Sequence, residues 1–368
     1  MKYLIIVCLL LLLSCSKSNS EDADSQLRQQ IGQMLMVGFR GTQINRSSQI
    51  VTDITQHNLG GVVLFDYDVA LASYGRNITD PDQLSALTSS LKEYASTPLL
   101  IAIDQEGGRI NRLKPGYGFP KSVSQQYLGT LNNPDSTRFY AGRTAQTLSE
   151  MGINVNFAPV VDLNINPENP VIGGLERSFS ADPAVVITHS QIVIEEHSAR
   201  NIFCTLKHFP GHGSSSADSH HDFVDVTSTW SESELLPYHS LTTYSNILVM
   251  TAHIFNSELD PDYPATLSNK IITDILRNEI GFSGVIFSDD MTMKAIIDYY
   301  GLESALELAI NAGVDILIFG NNLVYDEMIV EKTVSQIIKL VNDGKISRER
   351  INESYQRIMT LKNSLRED

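Results

Sequence analysis

Long hydrophobic runs are almost missing from this chain of 368 residues. The longest at the N-terminus, Leu4 to Leu13, falls well short of the roughly 20 residues that cross a bilayer. It follows Met1-Lys2-Tyr3 and gives way after Ser14-Cys15 to the polar Ser16 to Asp22, which is the layout of an export signal and not of a membrane span. Cysteine is equally scarce, with three in the chain. Cys8 and Cys15 belong to the signal region, so Cys204 stands alone in the folded part and an internal disulfide is excluded. Cys204 lies within an apolar run and reads as a small core residue with an inert thiol; the alternative is a cysteine nucleophile. Positive charge is short as well: 27 Lys and Arg face 43 Asp and Glu, a formal net charge of −16. That balance argues against a nucleic-acid partner and against adhesion to anionic lipid through surface charge. No Pro/Gly/Ser-rich linker divides the chain, whose mature length of about 350 residues suits one large α/β barrel or two modest domains.

The Leu12-Leu13-Ser14-Cys15 ending of the signal resembles a bacterial lipobox, in which the cysteine becomes the lipid-modified N-terminus. The alternative is an ordinary secretory signal with an incidental cysteine. The expectation is a signal peptide over residues 1–15, a flexible tether over 16–24, and a folded domain over 25–368. Such a protein is exported and held to a membrane through Cys15.

After a leading helix near Gln26 to Met36, short apolar runs alternate with helical patterns. The runs are Met34 to Phe39, Gly61 to Phe65, Leu99 to Ile103, Val155 to Val161, Phe203 to Leu206, Ile247 to Ala252, Val285 to Ser288 and Ile316 to Phe319. Helical stretches include Asp80 to Tyr94, Ser136 to Met151, Ala184 to Arg200, Ser231 to Thr243, Ser268 to Ile280 and Gly301 to Ala312. Eight such units predict an α/β fold, a (β/α)8 barrel of TIM type in a single domain, with its site at the C-terminal strand ends. Ser347 to Leu365, with Ser347 as N-cap and Ile351, Ile358 and Leu361 on one stripe, predicts a closing helix.

Polar residues follow these runs in a consistent way. Asp104-Gln105-Glu106-Gly107-Gly108-Arg109 follows the third, Asp162 the fourth, Lys207-His208 the fifth, His253 the sixth, Asp289-Asp290 the seventh and Gly320-Asn321-Asn322 the eighth. Charges gathered at one barrel end are what a pocket requires. Lys207 to His221 alone holds four of the nine histidines, in a polar Gly/Ser-rich segment. Packing explains such a cluster poorly, because each buried ring nitrogen needs its own partner. Asp289, at a strand end, suits a nucleophile with Asp290 as a like-charged neighbour; the alternative is that Asp289 caps the next helix. Asp218 two residues before His220 forms an acid-imidazole dyad suited to proton transfer near neutral pH. Lys207, His208, Arg112 and Arg177 would supply donors to an oxygen-rich ligand.

These residues carry a resemblance. The chain resembles glycoside hydrolase family 3, in its β-N-acetylglucosaminidase branch, whose Lys-His-Phe-Pro-Gly-His-Gly and Asp-Ser-His patterns match Lys207 to Gly213 and Asp218 to His220. Further matches are Gly60 to Phe65, Asp104 to Arg109 with Arg112, Phe157 to Asp162, Val171 to Gly173 with Arg177 to Phe179, and Ile286 to Met291. The resemblance implies a retaining exo-β-N-acetylglucosaminidase. Asp289 would form the glycosyl-enzyme, His220 would be the acid/base and Asp218 its partner. Asp104, Arg112, Arg177, Lys207 and His208 would hold hydroxyls and the acetamido group. It also implies a β-GlcNAc glycan such as wall fragments as substrate, no cofactor, no catalytic metal and a monomer. Two departures stand out: Ser214-Ser215 where the branch has an acidic residue or asparagine followed by threonine, and His221 to Val224 where it has an apolar residue and a proline.

Three other readings use the same residues. A phosphorylase would pass the sugar to phosphate, which a histidine acid/base does not repel. A metal-dependent hydrolase could draw on His208, His212, His220 and Asp218 as ligands. An inactive, lipid-anchored glycan-binding protein would bind sugar without turnover.

Overall fold

Eight apolar runs become eight parallel strands, because a strand covered on both faces needs apolar side chains at nearly every position. The computed structural model describes residues 24–217 and 224–365. The strands are β1 (Leu35–Gly38), β2 (Gly61–Leu64), β3 (Leu100–Ile103), β4 (Val155–Asn156), β5 (Phe203–Phe209), β6 (Ile247–Thr251), β7 (Ile286–Asp290) and β8 (Ile316–Phe319). They form a closed barrel in sequential order. β1 closes it by pairing with β2 on one side and β8 on the other, with Val37 opposite Val62 and Leu35 opposite Leu317. The predicted (β/α)8 barrel is therefore the observed fold.

Three covering helices begin in the same way. Asp80, Asn133 and Asp182 each precede a proline and accept hydrogen bonds from amides of the next turn, opening α1 (Pro81–Tyr94), α2 (Pro134–Glu150) and α3 (Pro183–Ser198). Proline loses nothing at that position, since its missing N–H would have had no partner there.

Several boundaries differ from the sequence reading, each for a local reason. The leading helix covers 24–33, and β1 begins at Leu35. β4 stops at Asn156, short of the expected Val161: Pro159 has no N–H for the ladder, and beyond Asn156 the pairing continues only as separate backbone bonds, from Phe157 to Ile103, from Thr205 to Ala158 and from Val161 to Lys207. β5 runs past Leu206 to Phe209. The helix expected over Ser231 to Thr243 divides into a 3-10 turn, Glu232–Leu235, and a short helix, Leu236–Leu241, with Pro237 in its first turn. Lys270–Glu279 is a π-helix. The helix expected from Gly301 reaches back to Lys294 and kinks at Gly301, where φ is 67°. Cys204 is buried in β5, and burial pushes its thiol pKa up, consistent with an inert core residue. Among the described residues, no helix is long and apolar enough to cross a membrane.

The closing helix α4 (Arg348–Asn363) is capped by Ser347, whose hydroxyl accepts from the Arg350 amide at 3.0 Å. It is pinned to the base of the barrel at two points. Lys362 is fully buried and donates to Gln33 Oε1 at 2.7 Å and to the Gly60 carbonyl at 2.6 Å; burial lowers its pKa to about 7. Asp315, also fully buried, accepts from Arg277 (2.7 Å), Arg357 (3.1 Å), the Ser354 hydroxyl (2.7 Å) and the Ile286 amide (3.0 Å). Asp315→Ala would strand these donors, so a loss of about 3–5 kcal/mol in unfolding free energy is expected from urea denaturation. A loss below about 1 kcal/mol would show that the cluster is not what holds α4 to the barrel.

Candidate active site

The Gly107-Gly108 pair lets the chain double back after β3. With φ of 98° and 59° the two glycines turn Gln105–Gly107 onto Ile110–Asn111 as a small antiparallel ribbon. The Gln105 side-chain carbonyl accepts from the amides of Arg112 and Leu113, both at 3.0 Å. Arg112 is thereby carried over the barrel mouth, 3.6 Å from Asp104 and 5.6 Å from the centre of the Phe65 ring.

Beneath it lies a network of alternating charge. Lys207, only 2% exposed, joins Asp104 Oδ1 at 2.8 Å to Glu106 Oε1 at 2.6 Å. Glu106 also takes a two-pronged grip from Arg177, with both distances 2.8 Å. Arg177 further donates to the Val171 carbonyl at 2.9 Å and to His208 Nε2 at 3.1 Å. Burial alone would raise the pKa values of both acids, but Lys207, Arg112 and Arg177 outweigh it for Asp104, and Arg177 and Lys207 do so for Glu106. Both carboxylates are therefore held ionised.

A guanidinium can only donate, so His208 Nε2 must accept and its proton sits on Nδ1. That nitrogen is 2.7 Å from Asp162 Oδ2. Burial first, and the charges of Arg177 and Lys207 next, push the His208 pKa well below its ordinary value, so the ring stays neutral. Asp162 Oδ1 also accepts from the backbone amides of His208 (3.0 Å) and His212 (2.8 Å), tying the end of β5 to the end of β4.

The start of the histidine segment is anchored rather than loose. A Cβ on Gly213 would come within 1.6 Å of the Leu163 carbonyl oxygen, so only glycine fits that contact. The Ser214-Ser215 departure is accommodated inside the protein: both serines are buried, Ser215 Oγ lies 2.8 Å from His212 Nδ1, and Asn169 Nδ2 donates to Ser215 Oγ at 3.0 Å. Glu234, buried beneath this turn, accepts from the Gly213 amide at 3.0 Å. Burial, with the charge of nearby Asp162, raises its pKa to about 8. The folded protein thus keeps a proton here that the unfolded chain releases near the ordinary glutamate value. The resulting stability is full below that value and is lost as pH rises through about 8. Glu234→Gln should remove this slope, so its melting temperature should gain on the wild type between about pH 5 and about pH 9. Parallel curves over that range would refute the assignment.

Asp289 sits within β7, and the next helix is preceded by Met293, which excludes the capping role. The amide of Asp290 donates to Asp289 Oδ1 at 2.8 Å. Asp290 Oδ1 accepts from the amide (2.9 Å) and hydroxyl (2.7 Å) of Thr292, and burial raises its pKa.

These groups face one cavity of about 440 Å³ at the C-terminal end of the barrel, within the roughly 300–1,000 Å³ typical of small-ligand sites. Asp104, Arg112, Arg177, Lys207, His208, Asp289 and Asp290 line it, with an apolar wall that includes Phe65, Val171, Leu175, Met250 and Leu323. All five expected binding residues and Asp289 are therefore brought together. Asp218 and His220 lie outside the described residues. Glu106 and Asp162, quoted in motifs but given no role, turn out to orient Arg177, Lys207 and His208; their place in acid-bearing strand-end motifs was the signal. His253 sits just past β6 beside the Asp290 carbonyl. Asn321 and Asn322 tie the β8 end to the β1 and β2 ends through Gly38, Tyr67 and Val69. Among the described residues, no three His, Cys, Asp or Glu side chains converge as a metal-ligand set.

Comparisons with known proteins agree on one family. The sequence profile of the glycosyl hydrolase family 3 N terminal domain matches residues 26–361. A beta-hexosaminidase of Tolumonas auensis is 36% identical over 78% of this chain and 83% of its own length. Beta-hexosaminidase A of Pseudoalteromonas piscicida is 31% identical over 92% of this chain. Among solved structures, a glycoside hydrolase family 3 beta-N-acetylglucosaminidase from Paenibacillus superposes with a TM-score of 0.83 and 32% identity over 91% of this chain. The beta-N-acetylhexosaminidase of Beutenbergia cavernae superposes with a TM-score of 0.81 and 27% identity, covering 92% of this chain and 98% of its own. This chain spans 61% of the Pseudoalteromonas protein and 62% of the Paenibacillus one. With the profile covering almost the whole barrel and relatives above 30% identity aligned over nine tenths of the chain, this protein belongs to glycosyl hydrolase family 3.

Proposed function

We propose that the protein is a retaining exo-β-N-acetylglucosaminidase that releases terminal β-linked GlcNAc. The observation that carries this reading is the Asp289 carboxylate facing a small pocket ringed by Asp104, Arg112, Arg177 and Lys207, a donor and acceptor set matched to a sugar's hydroxyls and amide. Relatives named beta-hexosaminidases and beta-N-acetylglucosaminidases support it.

In the first step Asp289 attacks the anomeric carbon as the bond to the leaving oxygen breaks, and His220 gives its proton to that oxygen. In the second, His220 takes a proton from water, the water oxygen bonds to the anomeric carbon, and the Asp289 ester bond breaks. Asp218 holds the tautomer of His220 and stabilises the imidazolium. Asp104, ionised and fixed by Lys207, accepts from sugar hydroxyls, and Arg112 and Arg177 donate. His208 keeps Arg177 in place through its neutral ring. Export and lipid attachment at Cys15 would give the enzyme wall fragments or other β-GlcNAc glycans outside the cytoplasm. Mass spectrometry of the N-terminal peptide from intact cells tests this: an unmodified Cys15, or an uncleaved N-terminus, refutes the anchor.

The deciding experiment measures initial rates on 4-nitrophenyl β-N-acetylglucosaminide and the matching β-glucoside, with chelator present and with or without phosphate. Strong preference for the acetamido sugar, unchanged by chelator and phosphate, is the expected result. A requirement for phosphate would favour the phosphorylase, and loss with chelator the metal enzyme. Binding without turnover would leave a glycan-binding protein.

A further inference from the structure

The oxygen Oδ1 of Asp289 is held by the amide of the following residue, so its position depends on how Asp290 is fixed. The register of β7 against β8 shifts between Phe287 and Asp290, which frees that amide from the ladder to turn towards the carboxylate. Asp290 is then restrained at its other end. Its carbonyl accepts from the Met293 amide at 3.0 Å and from His253 Nε2 at 2.9 Å. The first of these contacts is local to the turn. The second crosses from the end of β6, and so ties the nucleophile's peptide to the neighbouring strand.

A carbonyl can only accept, so Nε2 carries the His253 proton. On a neutral ring Nδ1 is then an acceptor, and Thr266 Oγ1 lies 2.8 Å from it. Thr266 Oγ1 in turn is 2.8 Å from Thr251 Oγ1, and all three side chains are buried. Thr266 Oγ1 also lies 2.9 Å from the Ala252 carbonyl, so its single proton is shared between that oxygen and Nδ1, while Nε2 donates to the Asp290 carbonyl. The Asp290 carbonyl thus selects the Nε2-protonated form, and Thr266 meets the other ring nitrogen.

We propose that His253 is a positioning residue for the nucleophile, acting through the Asp290 carbonyl, with Thr266 bracing its other ring nitrogen. The proposal rests on Asp289 being the nucleophile. The aspartate ester forms only when the carboxylate oxygen and the anomeric carbon are closely aligned, and misplacement of about 1 Å can cost on the order of 10²-fold in rate. His253 has no part in substrate binding in this arrangement, so its loss should fall on kcat and not on KM.

The test compares His253→Leu, which fills the space without a donor, with His253→Gln, whose amide can both donate to Asp290 and accept from Thr266. Expected are a kcat loss of about 10²-fold for the leucine variant with KM within about 3-fold, and recovery of about 10-fold of that loss by glutamine. Equal losses in the two variants, or a loss expressed mainly in KM, would overturn the proposal in favour of simple packing. If the leucine variant does not fold, Thr266→Val decides. A kcat reduced by about 5-fold at unchanged KM supports the relay, and one within about 2-fold overturns it. Nitrogen-15 chemical shifts of His253 in the wild-type protein should report a protonated Nε2 and an unprotonated Nδ1; the opposite tautomer would refute the relay whatever the activity. A wild-type protein with that tautomer but without turnover would overturn the nucleophile reading and the catalytic role of His253 with it, leaving only the hydrogen bonds.

Discussion

Asp289→Ala is expected to lower kcat/KM on aryl β-N-acetylglucosaminides on the order of 10⁴-fold or more, while the barrel keeps its melting temperature. The carboxylate lies in the pocket and not in the core, so its loss would remove the proposed nucleophile without opening a buried cavity. Because a like-charged neighbour is removed, Asp290 should if anything be relieved, since the charge of Asp289 is among the causes that raise its pKa. A fluorinated GlcNAc inactivator should add its mass to the peptide carrying Asp289 in the wild type and to none in the variant. Label on any other residue would falsify the nucleophile assignment.

His220→Ala should separate substrates by leaving group. General-acid assistance contributes about 10²–10⁴-fold when the departing oxygen is basic and little when it is already a good leaving group. The expected result is a kcat/KM loss of that size on alkyl β-GlcNAc glycosides and of less than about 10-fold on a dinitrophenyl one. Asp218→Asn should show the same ordering with smaller losses, because the proposed dyad would keep its imidazole and lose only the carboxylate that supports it. Equal losses on both substrates would remove His220 from the acid/base role. Thermal melting of both variants should match the wild type, since the described anchors of the segment, Gly213 on Leu163 and Ser215 with Asn169, lie upstream of the dyad.

How much of this was written in the primary structure depends on the range over which each feature is decided. All eight barrel strands could be located from apolar runs, because burial on both faces leaves a continuous signal that needs no partner to be recognised. Helix starts were legible where a cap is local, as at Ser347 before α4. Strand lengths were not: β4 ends early because of Pro159, and β5 reaches Phe209 through polar Lys207 and His208, whose residue types read as loop. The pocket residues were readable because each follows a strand, and barrel closure brings all strand ends to one face.

The sequence by itself determined the eight-unit alternation, the strand-end acids and bases, the single cysteine within the barrel, and the identity of the groups able to do chemistry. Only the tertiary structure decided how those groups are used. The tautomer of His208 follows from Arg177, 31 positions away, and from Asp162, 46 positions away. The ionised state of Asp104 follows from Lys207, 103 positions away. The tie from His253 to the residue after Asp289 crosses 37 positions. Residue type and spacing carry no information about such contacts. Charge state and hydrogen-bond direction are set by distance and burial in three dimensions, and these exist only once the barrel has closed.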